Sequence, residues 1–577
     1  MKAGIDFGTS TSEIAYVDEN GKIIIVPNHL GEFITPSVVY IDEKGKPLVG
    51  REAREKAILE PENTFLEVKR LFGTNTRLNA RNKVYTPVDV AAIIMRYLTD
   101  CAQKHSGLAV DTAVITVPAY FTDSQRKDVM AAGKAAGLQV ERIINEPTAA
   151  SLDYGIDHMR ECKYMLVYDL GGGTLDVTVL ELFEGVVDVK SSCGNSMLGG
   201  KDFDQAIMDH IAGMIRKRDK VDVTQDSRAL MRIKTIAEQC KIALSTKNDY
   251  LIELPFLYSK NTPDTLKASD TLTPAGYSEK FTRTFFESMI RDKIYSTGQQ
   301  IKTALYDAKL NADDIDLTLL IGGSTRIPLV SEFLKDTFGI APQSVLDPDL
   351  AVVRGAAIQA GVLSGVLGEN AIVLTDICPY SLSIEALKNS AVDKKNLFCD
   401  ILINRNTTLP ARAFKIYETS CDNQSVVHIT AYQGESENPD ENYMLNCFEL
   451  SGIPKAKAGK ELINISFEYD LNGILIVSAE IVSTGKTATV KINTAQMGKN
   501  LDLSKWKSVP CAKRYRLVIN RAERLVKIYG NEKTADVAAA ANELKKALVM
   551  NWEDTIIDKM KFNLDKAIID LEEEDKT

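Results

Sequence analysis

The chain has 577 residues, which is too long for a single hydrophobic core and predicts several domains. Its composition, 45% hydrophobic and 26% charged, is that of a globular protein, and its net charge of −10 argues against general binding to nucleic acid or anionic membranes. The nine cysteines are odd in number and include no C-x-x-C pair, which is typical of reduced, buried thiols in the cytoplasm. We expect neither a signal peptide nor a membrane anchor, because the chain enters a strand pattern at once and no apolar run approaches roughly 20 residues.

The first two-thirds of the chain alternate strand-like and helix-like segments. Three strands are predicted by "GIDFGTSTSEIAYVD", "GKIIIVPN" and "SVVYID", and a helix by "AREKAILE". A further strand, "DTAVITVPAY", leads into a helix with Asp123 or Ser124 as its N-cap. The pattern then restarts with three strands in "YMLVYDLGGGTLDVTVLELFEGVVDVKSS". Helical segments around "RALMRIKTIAEQCKIALS" and "TFFESMIRDKIYSTGQQIKTALYDA" precede a strand, a glycine turn and a helix in "DLTLLIGGSTRIPLVSEFLKDTF".

The restart places two similar loops after the first strand of each half. The segments Asp6–Thr11 and Asp169–Thr174 occupy the same place in two strand-turn-strand units, which indicates an internal duplication. Two facing halves would bring both loops into one cleft, where exposed backbone N–H groups bind anions and larger side chains would block the approach. Either loop alone fits an ordinary glycine turn. Two aspartate-led copies and a third loop, Gly322–Ser324, together predict a phosphate and nucleotide site.

From about Ala371 onward, the sequence pattern changes and predicts short strands with alternating apolar and polar residues. The apolar residues of "INISFEY" alternate with polar ones before a "DLNG" turn into "ILIVSAEIV", and "FKIYETS" with "SVVHITAYQGE" predicts a second strand pair. From Leu501 the apolar spacing is helical to the end of the sequence. The sequence therefore predicts an α/β region, an all-β region and a helical region, in that order.

Several segments resemble, in order, the signatures of the seventy-kilodalton heat-shock chaperones, the DnaK-type family. They are "GIDFGTSTSEIAY", "VITVPAYFTDSQR", "RIINEPTAASLDYG", "VYDLGGGTLDVTVLE", "LGGKDFD" and "LLIGGSTRIPLV". The segments "NRNTTLP", "DNQSVVHITAYQGE" and "NGILIVSA" resemble the substrate-binding domain of the same family. The compact HscC-type branch is the most similar, through "VLTDICPYSLSIE" and a shortened stretch from Arg70 to Ala113.

The resemblance implies a multidomain protein with an actin-like, duplicated α/β ATPase domain over 1–368 and an interdomain linker over 369–377. It further implies an all-β sandwich that binds extended peptide over 378–500 and a short α-helical lid over 501–577. The implied activity is that of a cytoplasmic, ATP-dependent molecular chaperone, with ATP or ADP, Mg²⁺ and a monovalent cation such as K⁺ as cofactors. The implied partners are unfolded client polypeptides, a J-domain cochaperone and a nucleotide-exchange factor, with no nucleic acid and no membrane.

The resemblance also assigns the residues of the ATPase site. Asp6 and Asp169 end the first strand of each half, and facing each other they suit Mg²⁺ with retained waters. The catalytic positions match Lys69, Glu146, Thr174 and Asp176, although pattern alone would make Lys69 a surface lysine and Glu146 a helix-start carboxylate. The nucleotide-binding positions match Gly8, Thr9, Ser10, Gly171, Gly172, Gly173, Gly200, Glu238, Lys241, Ser245, Gly323, Ser324, Arg326 and Asp349. From spacing alone, Glu238, Lys241 and Ser245 would form a solvated polar stripe on one helix.

The resemblance places three further sites outside the catalytic centre. The peptide cleft matches Leu382, Ile384, Leu387, Tyr417, Ser420, Val427 and Ile429, which from alternation alone would be core residues. The positions that couple the two domains in the family match Val373, Leu374 and Asp376 in the apolar linker. The J-domain docking surface matches Tyr120, Asp123, Arg142, Asn145 and Asp376, with Thr122 in place of the usual asparagine.

Two alternatives remain within the same actin-like fold, a metabolite kinase and a filament protein. A kinase needs a general base that is directed at a substrate hydroxyl. Neither alternative needs the segment from Cys378 to Thr577. Peptide binding by that segment would distinguish a chaperone from both.

Overall fold

The computed structural model describes most of the chain. The described residues are 1–74, 76–158, 162–183, 185–263, 270–343, 346–367, 373–388, 397–470, 475–492, 512–529, 534, 537, 540–542, 544–545, 548 and 554–574. The chain divides into two compact units. The first unit comprises Met1–Ser381, Ile403–Arg412 and Glu468–Ile474, and the second comprises Leu382–Leu402, Ala413–Phe467 and Leu475–Thr577.

Strands and helices alternate through the first unit, and strands dominate the middle of the second. The strands are β1 (Lys2–Phe7), β2 (Thr11–Val17), β3 (Ile23–Ile25), β4 (Thr35–Pro36), β5 (Val38–Ile41), β6 (Pro47–Val49), β7 (Thr64–Leu66), β8 (Leu78–Ala80), β9 (Lys83–Tyr85), β10 (Thr112–Val117), β11 (Gln139–Asn145), β12 (Tyr164–Leu170), β13 (Leu175–Phe183), β14 (Val186–Asn195), β15 (Asp249–Pro263), β16 (Asp270–Thr282), β17 (Leu317–Ile321), β18 (Val373–Leu374), β19 (Asp376–Ile377), β20 (Leu382–Leu387), β21 (Leu397–Ile403), β22 (Thr408–Leu409), β23 (Ala411–Glu418), β24 (Val426–Gln433), β25 (Tyr443–Ser451), β26 (Leu462–Tyr469), β27 (Leu475–Ile481) and β28 (Lys486–Ile492). The helices are α1 (Arg51–Leu59), α2 (Pro87–Ser106), α3 (Asp123–Ala135), α4 (Glu146–His158), α5 (Gly200–Asp219), α6 (Ser227–Thr246), α7 (Arg283–Ser296), α8 (Gly298–Ala308), α9 (Pro328–Phe338), α10 (Ala351–Ser364), α11 (Ala512–Tyr529) and α12 (Asp554–Glu574).

Two sheets of the first unit have the same arrangement. One has the strand order β11-β10-β1-β2-β3, and the other has the order β17-β12-β13-β14-β18. In each sheet an antiparallel pair, β1 with β2 or β12 with β13, is flanked by a parallel strand, β10 or β17. This repeated order confirms the internal duplication that the sequence predicts. It also places the two glycine loops at equivalent ends of the two sheets.

A shared apolar layer connects these two sheets. One buried cluster contains Val114 of β10, Ala149 of α4, Val167 of β12 and Ile358 of α10. Burial of a valine or isoleucine side chain is worth about 1.5–3 kcal/mol, so the layer contributes strongly to the stability of the first unit. The loops after β1 and β12 therefore lie on a rigid support.

Two helix predictions in this unit need correction. The N-cap of α3 is Thr122 rather than Asp123 or Ser124, because Thr122 and Gln125 form a reciprocal capping box. The helical segment predicted around "TFFESMIRDKIYSTGQQIKTALYDA" is two helices, α7 and α8, which are separated at Thr297. The side chain of Asp123 lies outside the described residues.

The second unit contains two four-stranded sheets with the orders β21-β20-β24-β25 and β23-β26-β27-β28. Alternate residues of β26 are buried, as the sequence predicts. The predicted pairing of "FKIYETS" with "SVVHITAYQGE" is wrong, because β23 and β24 belong to different sheets and the chain crosses between them. The helices α11 and α12 share a buried cluster that includes Tyr515, Ile519 and Leu564, and both lie in the region after Leu501 for which the sequence predicts helix.

The cysteines agree in part with the expectation of reduced, buried thiols. None of the eight described cysteines forms a disulfide, and most are buried, but Cys421 is exposed. Among the described parts of the chain, every helix is too short or too polar to cross a bilayer.

Candidate functional site

The loops that follow β1 and β12 contact each other in the first unit. A Cβ atom on Gly172 would collide with Oγ of Ser10, and one on Gly173 would lie 2.9 Å from Oγ1 of Thr9. Contact between the loops therefore accounts for two of the three consecutive glycines. A Cβ atom on Gly171 would meet nothing closer than 3.9 Å, so the space beside this residue is free.

The third predicted loop and the start of α5 join the second loop. The carbonyl of Gly171 accepts hydrogen bonds from the Gly200 amide at 3.0 Å and from Ser324 Oγ at 2.9 Å. The carbonyl of Gly172 accepts one from the Lys201 amide at 2.9 Å. The structure thus brings together the three loops that the sequence predicts to share one site.

Lys69 is buried at the centre of this region. Its Nζ donates a hydrogen bond of 2.6 Å to Oε1 of Glu146 and lies 5.9 and 5.6 Å from the ring centres of Phe7 and Phe121. Only 3% of the residue is exposed, so the surface location suggested by pattern alone is wrong. A buried ammonium needs a charged partner, and Glu146, the first residue of α4, supplies it.

Four carboxylates surround Lys69, and all of them have raised pKa values. Burial raises the pKa of Asp176 to about 6 and raises the pKa of Glu146, while Lys69 opposes both effects. Burial and the negative charges of Glu146 and Asp176 raise the pKa of Asp169 well above its usual range. Burial also raises the pKa of Asp6, against the opposing effects of Lys69 and a hydrogen bond from Thr116. A cationic ligand would stabilise the ionised forms of these four acidic groups, which face one lysine.

One oxygen of this cluster has no partner. Asp176 Oδ1 accepts a hydrogen bond of 3.0 Å from the Tyr120 amide, but Oδ2 is buried without a hydrogen bond. Asp6 Oδ1 accepts a hydrogen bond of 2.6 Å from Thr116 Oγ1. A buried carboxylate oxygen that accepts no hydrogen bond and lies beside other carboxylates is typical of a site that binds a cation or a water molecule.

Glu13 is a fifth acidic residue that the sequence analysis did not single out. It lies on β2 directly opposite Asp6, is 2% exposed, and its Oε1 is buried without a hydrogen bond. Burial and the charge of Asp6 raise the pKa of Glu13 well above its usual range. The hairpin register could have revealed it, because residues directly opposite each other on antiparallel strands share a face of the sheet.

The predicted adenosine residues on α6 are not a solvated stripe. Glu238 forms an ion pair with Arg54 and lies 3.5 Å from Lys201 Nζ. Lys241 Nζ is buried 2.8 Å from Asp204 Oδ1 and donates a 3.1 Å hydrogen bond to the Gly200 carbonyl. These contacts join the start of α5 to the middle of α6.

The remaining nucleotide positions have simpler surroundings. Ser245 Oγ donates to the carbonyl of Lys241 on its own helix at 3.2 Å. Arg326 forms a 2.7 Å ion pair with Asp349, beside the loop that contains Gly323. Ile242 follows buried Lys241 on α6 and is 60% exposed, so it offers an apolar surface on a different side of the helix.

Within the first unit, the described part of the linker is bonded to β14. β18 pairs in parallel with β14, with Leu374 opposite Val187, and the Thr375 amide donates to the Val187 carbonyl at 3.1 Å. Leu374 is buried. Val373 pairs with β14 through its backbone, and its side chain lies outside the described residues.

Contacts lead from the linker to the buried carboxylates around Lys69. Asp376 Oδ1 accepts a 2.6 Å hydrogen bond from Asn145, which precedes Glu146 in the sequence. The rings of Tyr380 and Tyr120 lie 4.6 Å apart, and the Tyr120 amide binds Asp176. The predicted docking residues Arg142, Asn145 and Asp376 therefore lie close together, since Asp376 also acts electrostatically on Arg142, and Tyr120 contacts Tyr380, which is four residues after Asp376.

The predicted peptide-binding residues of the second unit fall into two groups. Leu382, Ile384 and Ile429 are buried, as core residues are. The others, namely Leu387, Tyr417, Ser420 and Val427, are only partly buried. The Tyr417 hydroxyl donates to Asp400 at 2.9 Å, and the Ser420 amide donates to Gln424 at 2.8 Å. Only the partly buried group has surface left for a ligand.

Comparison with known proteins identifies relatives over most of the chain. A protein-family model described as "Hsp70 protein" matches residues 2–79 and 74–577. "Chaperone protein DnaK" of Thermotoga petrophila is 42% identical over 491 residues, which are 85% of this chain and 80% of that protein. "Chaperone protein DnaK" of Thermotoga neapolitana is 41% identical over 514 residues, which are 89% of this chain and 83% of that protein.

Proposed function

This chain belongs to the Hsp70 family and is an ATP-dependent chaperone with ATPase activity, and from this premise we propose that hydrolysis takes place around Lys69. The observation that carries the proposal is the buried ion pair between Lys69 and Glu146, which lies among Asp6, Asp169 and Asp176. Phosphoryl transfer needs a cation for the developing charge and a group that orients water. Lys69 supplies the cation, and Asp176 and Glu146 supply acceptors for a water molecule.

We propose that Asp6 and Asp169 hold Mg²⁺ through retained waters. Carboxylate oxygens suit this hard cation, which keeps several waters when few protein ligands are available. Within the described residues, no group of three acidic, histidine or cysteine side chains could hold a metal. Bound Mg²⁺ would neutralise phosphate charge. The chain's own contribution is to place two carboxylates beside the phosphate loops and to orient Asp6 through Thr116.

The nucleotide itself is assigned to the three loops and α6. Free space beside Gly171 and the backbone amides of Gly8–Ser10 and Gly172–Thr174 suit phosphate oxygens, whereas the Gly171 amide donates to the Thr174 carbonyl at 3.1 Å. Glu238, Lys241 and Ser245 are proposed to face the ribose, with Gly323, Ser324, Arg326 and Asp349 beside the base. Gly200 supports this arrangement, because its amide binds the Gly171 carbonyl.

The proposed function has a direct test in the coupling of two activities. We expect an extended apolar peptide to raise the steady-state ATPase rate of the full chain several-fold, because ligand binding and hydrolysis share one conformational equilibrium. A polar, charged peptide of the same length is the control. Transfer of phosphate to a sugar with no response to peptide would instead support the metabolite kinase, and nucleotide-dependent polymers would support the filament protein.

The client-binding surface is proposed at the partly buried residues Leu387, Tyr417, Ser420 and Val427 of the second unit. Hsp70-family chaperones bind unfolded polypeptides, and extended peptides are held by main-chain hydrogen bonds with one or more apolar pockets. Leu382, Ile384 and Ile429 would form the floor beneath this surface. Val427 would be central, because it lies on β24 two residues from buried Ile429 and on the same face.

Val427→Phe should weaken peptide binding about tenfold and leave the basal ATPase rate unchanged. The added ring would fill the central pocket, at a cost of about 1–3 kcal/mol if the site were tightly packed. Fluorescence anisotropy of a labelled apolar peptide measures affinity, and circular dichroism reports whether the variant is folded. Val426→Phe, on the opposite face of β24, is the matched control. A folded Val427→Phe variant with wild-type affinity would assign Val427 to the core.

We further propose a J-domain cochaperone as a partner that docks near Tyr120, Arg142, Asn145 and Asp376, with a nucleotide-exchange factor as a second partner. The contacts of Asp376 with Asn145 and of Tyr380 with Tyr120 support a docking surface that responds to the linker. A cytoplasmic location belongs to the same proposal. The eight described cysteines form no disulfide, which supports this location.

A further inference from the structure

Glu67 has an unusual backbone conformation directly before the catalytic segment. Its φ is 58°, in the left-handed region, and it is the N-cap of the 3₁₀ turn Val68–Leu71 that contains Lys69. Residues with a side chain avoid this region unless the surroundings hold them there. The direction in which the turn leaves Glu67 sets the position of Lys69, so whatever holds Glu67 also positions Lys69.

Two lysines hold the Glu67 carboxylate. Lys234 Nζ, on α6, lies 2.5 Å from Glu67 Oε1, and Lys201 Nζ, at the start of α5, lies 3.8 Å from the same oxygen. The side chain of Glu67 is 21% exposed, so solvent screens these charges only in part. Burial is the largest influence on the pKa of Glu67 and raises it, but the two lysines together hold this pKa below its usual value.

The residue after Lys69 is anchored as well. Arg70 Nη2 donates to the Gly173 carbonyl at 3.0 Å and to Asp202 Oδ2 at 2.6 Å. The turn that presents Lys69 to Glu146 is thus fixed on both sides, by the second phosphate loop through Arg70 and by α6 through Glu67. The Glu67 anchor differs because it also holds a strained backbone.

We propose that Glu67 is a positioning residue for ATP hydrolysis, whose ion pair with Lys234 fixes the left-handed backbone that directs Lys69 toward Glu146. This inference rests on the proposed catalytic role of Lys69. It extends that role, because α6 also contains the proposed ribose-binding residues. The Glu67–Lys234 pair therefore links the nucleoside side of the site to the group that acts on the phosphate.

The test is single-turnover hydrolysis of bound ATP by the full chain. Glu67→Gln keeps the size of the side chain and removes its charge, and we expect the rate to fall about tenfold, since small displacements of a catalytic group are costly. Lys234→Gln should cause the same fall. The double variant should be no slower than either single variant, because one interaction is lost in all three.

A glycine at the same position separates a positioning role from other roles. Glu67→Gly has no carboxylate, but glycine adopts the left-handed conformation without strain, so we expect it to recover most of the rate that Glu67→Gln loses. Glu62→Gln, an exposed glutamate in the preceding turn, is the control and should hydrolyse ATP at the wild-type rate. Nucleotide affinity, measured with a fluorescent ADP analogue, should change less than twofold in the Glu67 variants.

Three results would overturn the inference. They are wild-type hydrolysis by Glu67→Gln, a Glu67→Gly variant as slow as Glu67→Gln, or a loss confined to nucleotide affinity. Lys69→Ala separates this inference from its premise. If Lys69→Ala also hydrolyses ATP normally, the proposed site is wrong. If Lys69→Ala is inactive and Glu67→Gln is normal, only the role of Glu67 is wrong.

Discussion

Lys69→Ala is expected to reduce ATP hydrolysis at least 100-fold while ATP still binds. The substitution removes the positive charge that pairs with Glu146 and opposes the raised pKa of Asp176. Removal of a single charge-stabilising group from a preorganised site costs about 10²–10³ in rate. The contacts of the phosphate loops with each other and with α5 do not involve the Lys69 side chain, so binding should survive.

Single-turnover measurement on preformed complexes with ATP separates hydrolysis from binding. Lys56→Ala is the matched control, because Lys56 is an exposed lysine of α1. Circular dichroism and a nucleotide-induced rise in melting temperature should show that Lys69→Ala is folded and still binds ATP. Hydrolysis at the wild-type rate would show that Lys69 is not a catalytic residue.

Leu374→Asp should separate the two activities of the chain without abolishing either. Leu374 is buried in β18, and burial of a leucine side chain is worth about 1.5–3 kcal/mol. An aspartate in its place would have to be dehydrated, so the linker should leave β14. We expect peptide no longer to stimulate the ATPase, and ATP no longer to speed peptide release, whereas basal hydrolysis and peptide affinity without nucleotide change little.

Stopped-flow release of a labelled peptide with and without ATP measures this coupling. Val366→Asp is the control, because Val366 is exposed just after α10, a few residues before the linker. The free energy gained by burying one leucine side chain is enough to shift a two-state equilibrium but not to populate one state exclusively. If ATP accelerates release from Leu374→Asp as it does from the wild type, coupling between the activities depends on other contacts.

The repeated loops could be predicted from the sequence because duplication leaves a local signature. Asp6 and Asp169 each end an apolar strand and precede a glycine turn, so each can be recognised within about ten residues of sequence. Their convergence follows from the symmetry of two similar halves. The paired sheets of the structure confirm this reasoning.

Long-range pairs could not be predicted in this way. Lys69 and Glu146 are 77 residues apart, and nothing in either neighbourhood indicates the other. Only the family resemblance drew attention to them. The Glu67–Lys234 pair was missed altogether, because neither residue belongs to a motif and the left-handed backbone of Glu67 depends on its tertiary partners. Similarly, the alternation of β23 and β24 suggested a hairpin, although the two strands lie in different sheets.

The pairing of the linker with β14 has a consequence for self-association. β18 ends its sheet, so departure of the linker would turn β14 into an open edge strand, whose free amides and carbonyls can recruit strands from other molecules. The edge carries its own protection, because Asp188 and Lys190 place opposite charges on β14, 3.4 Å apart. Charged side chains on an exposed edge strand disfavour its pairing with a strand of a second copy. The proposed movement of the linker would therefore expose an edge whose charges disfavour self-association.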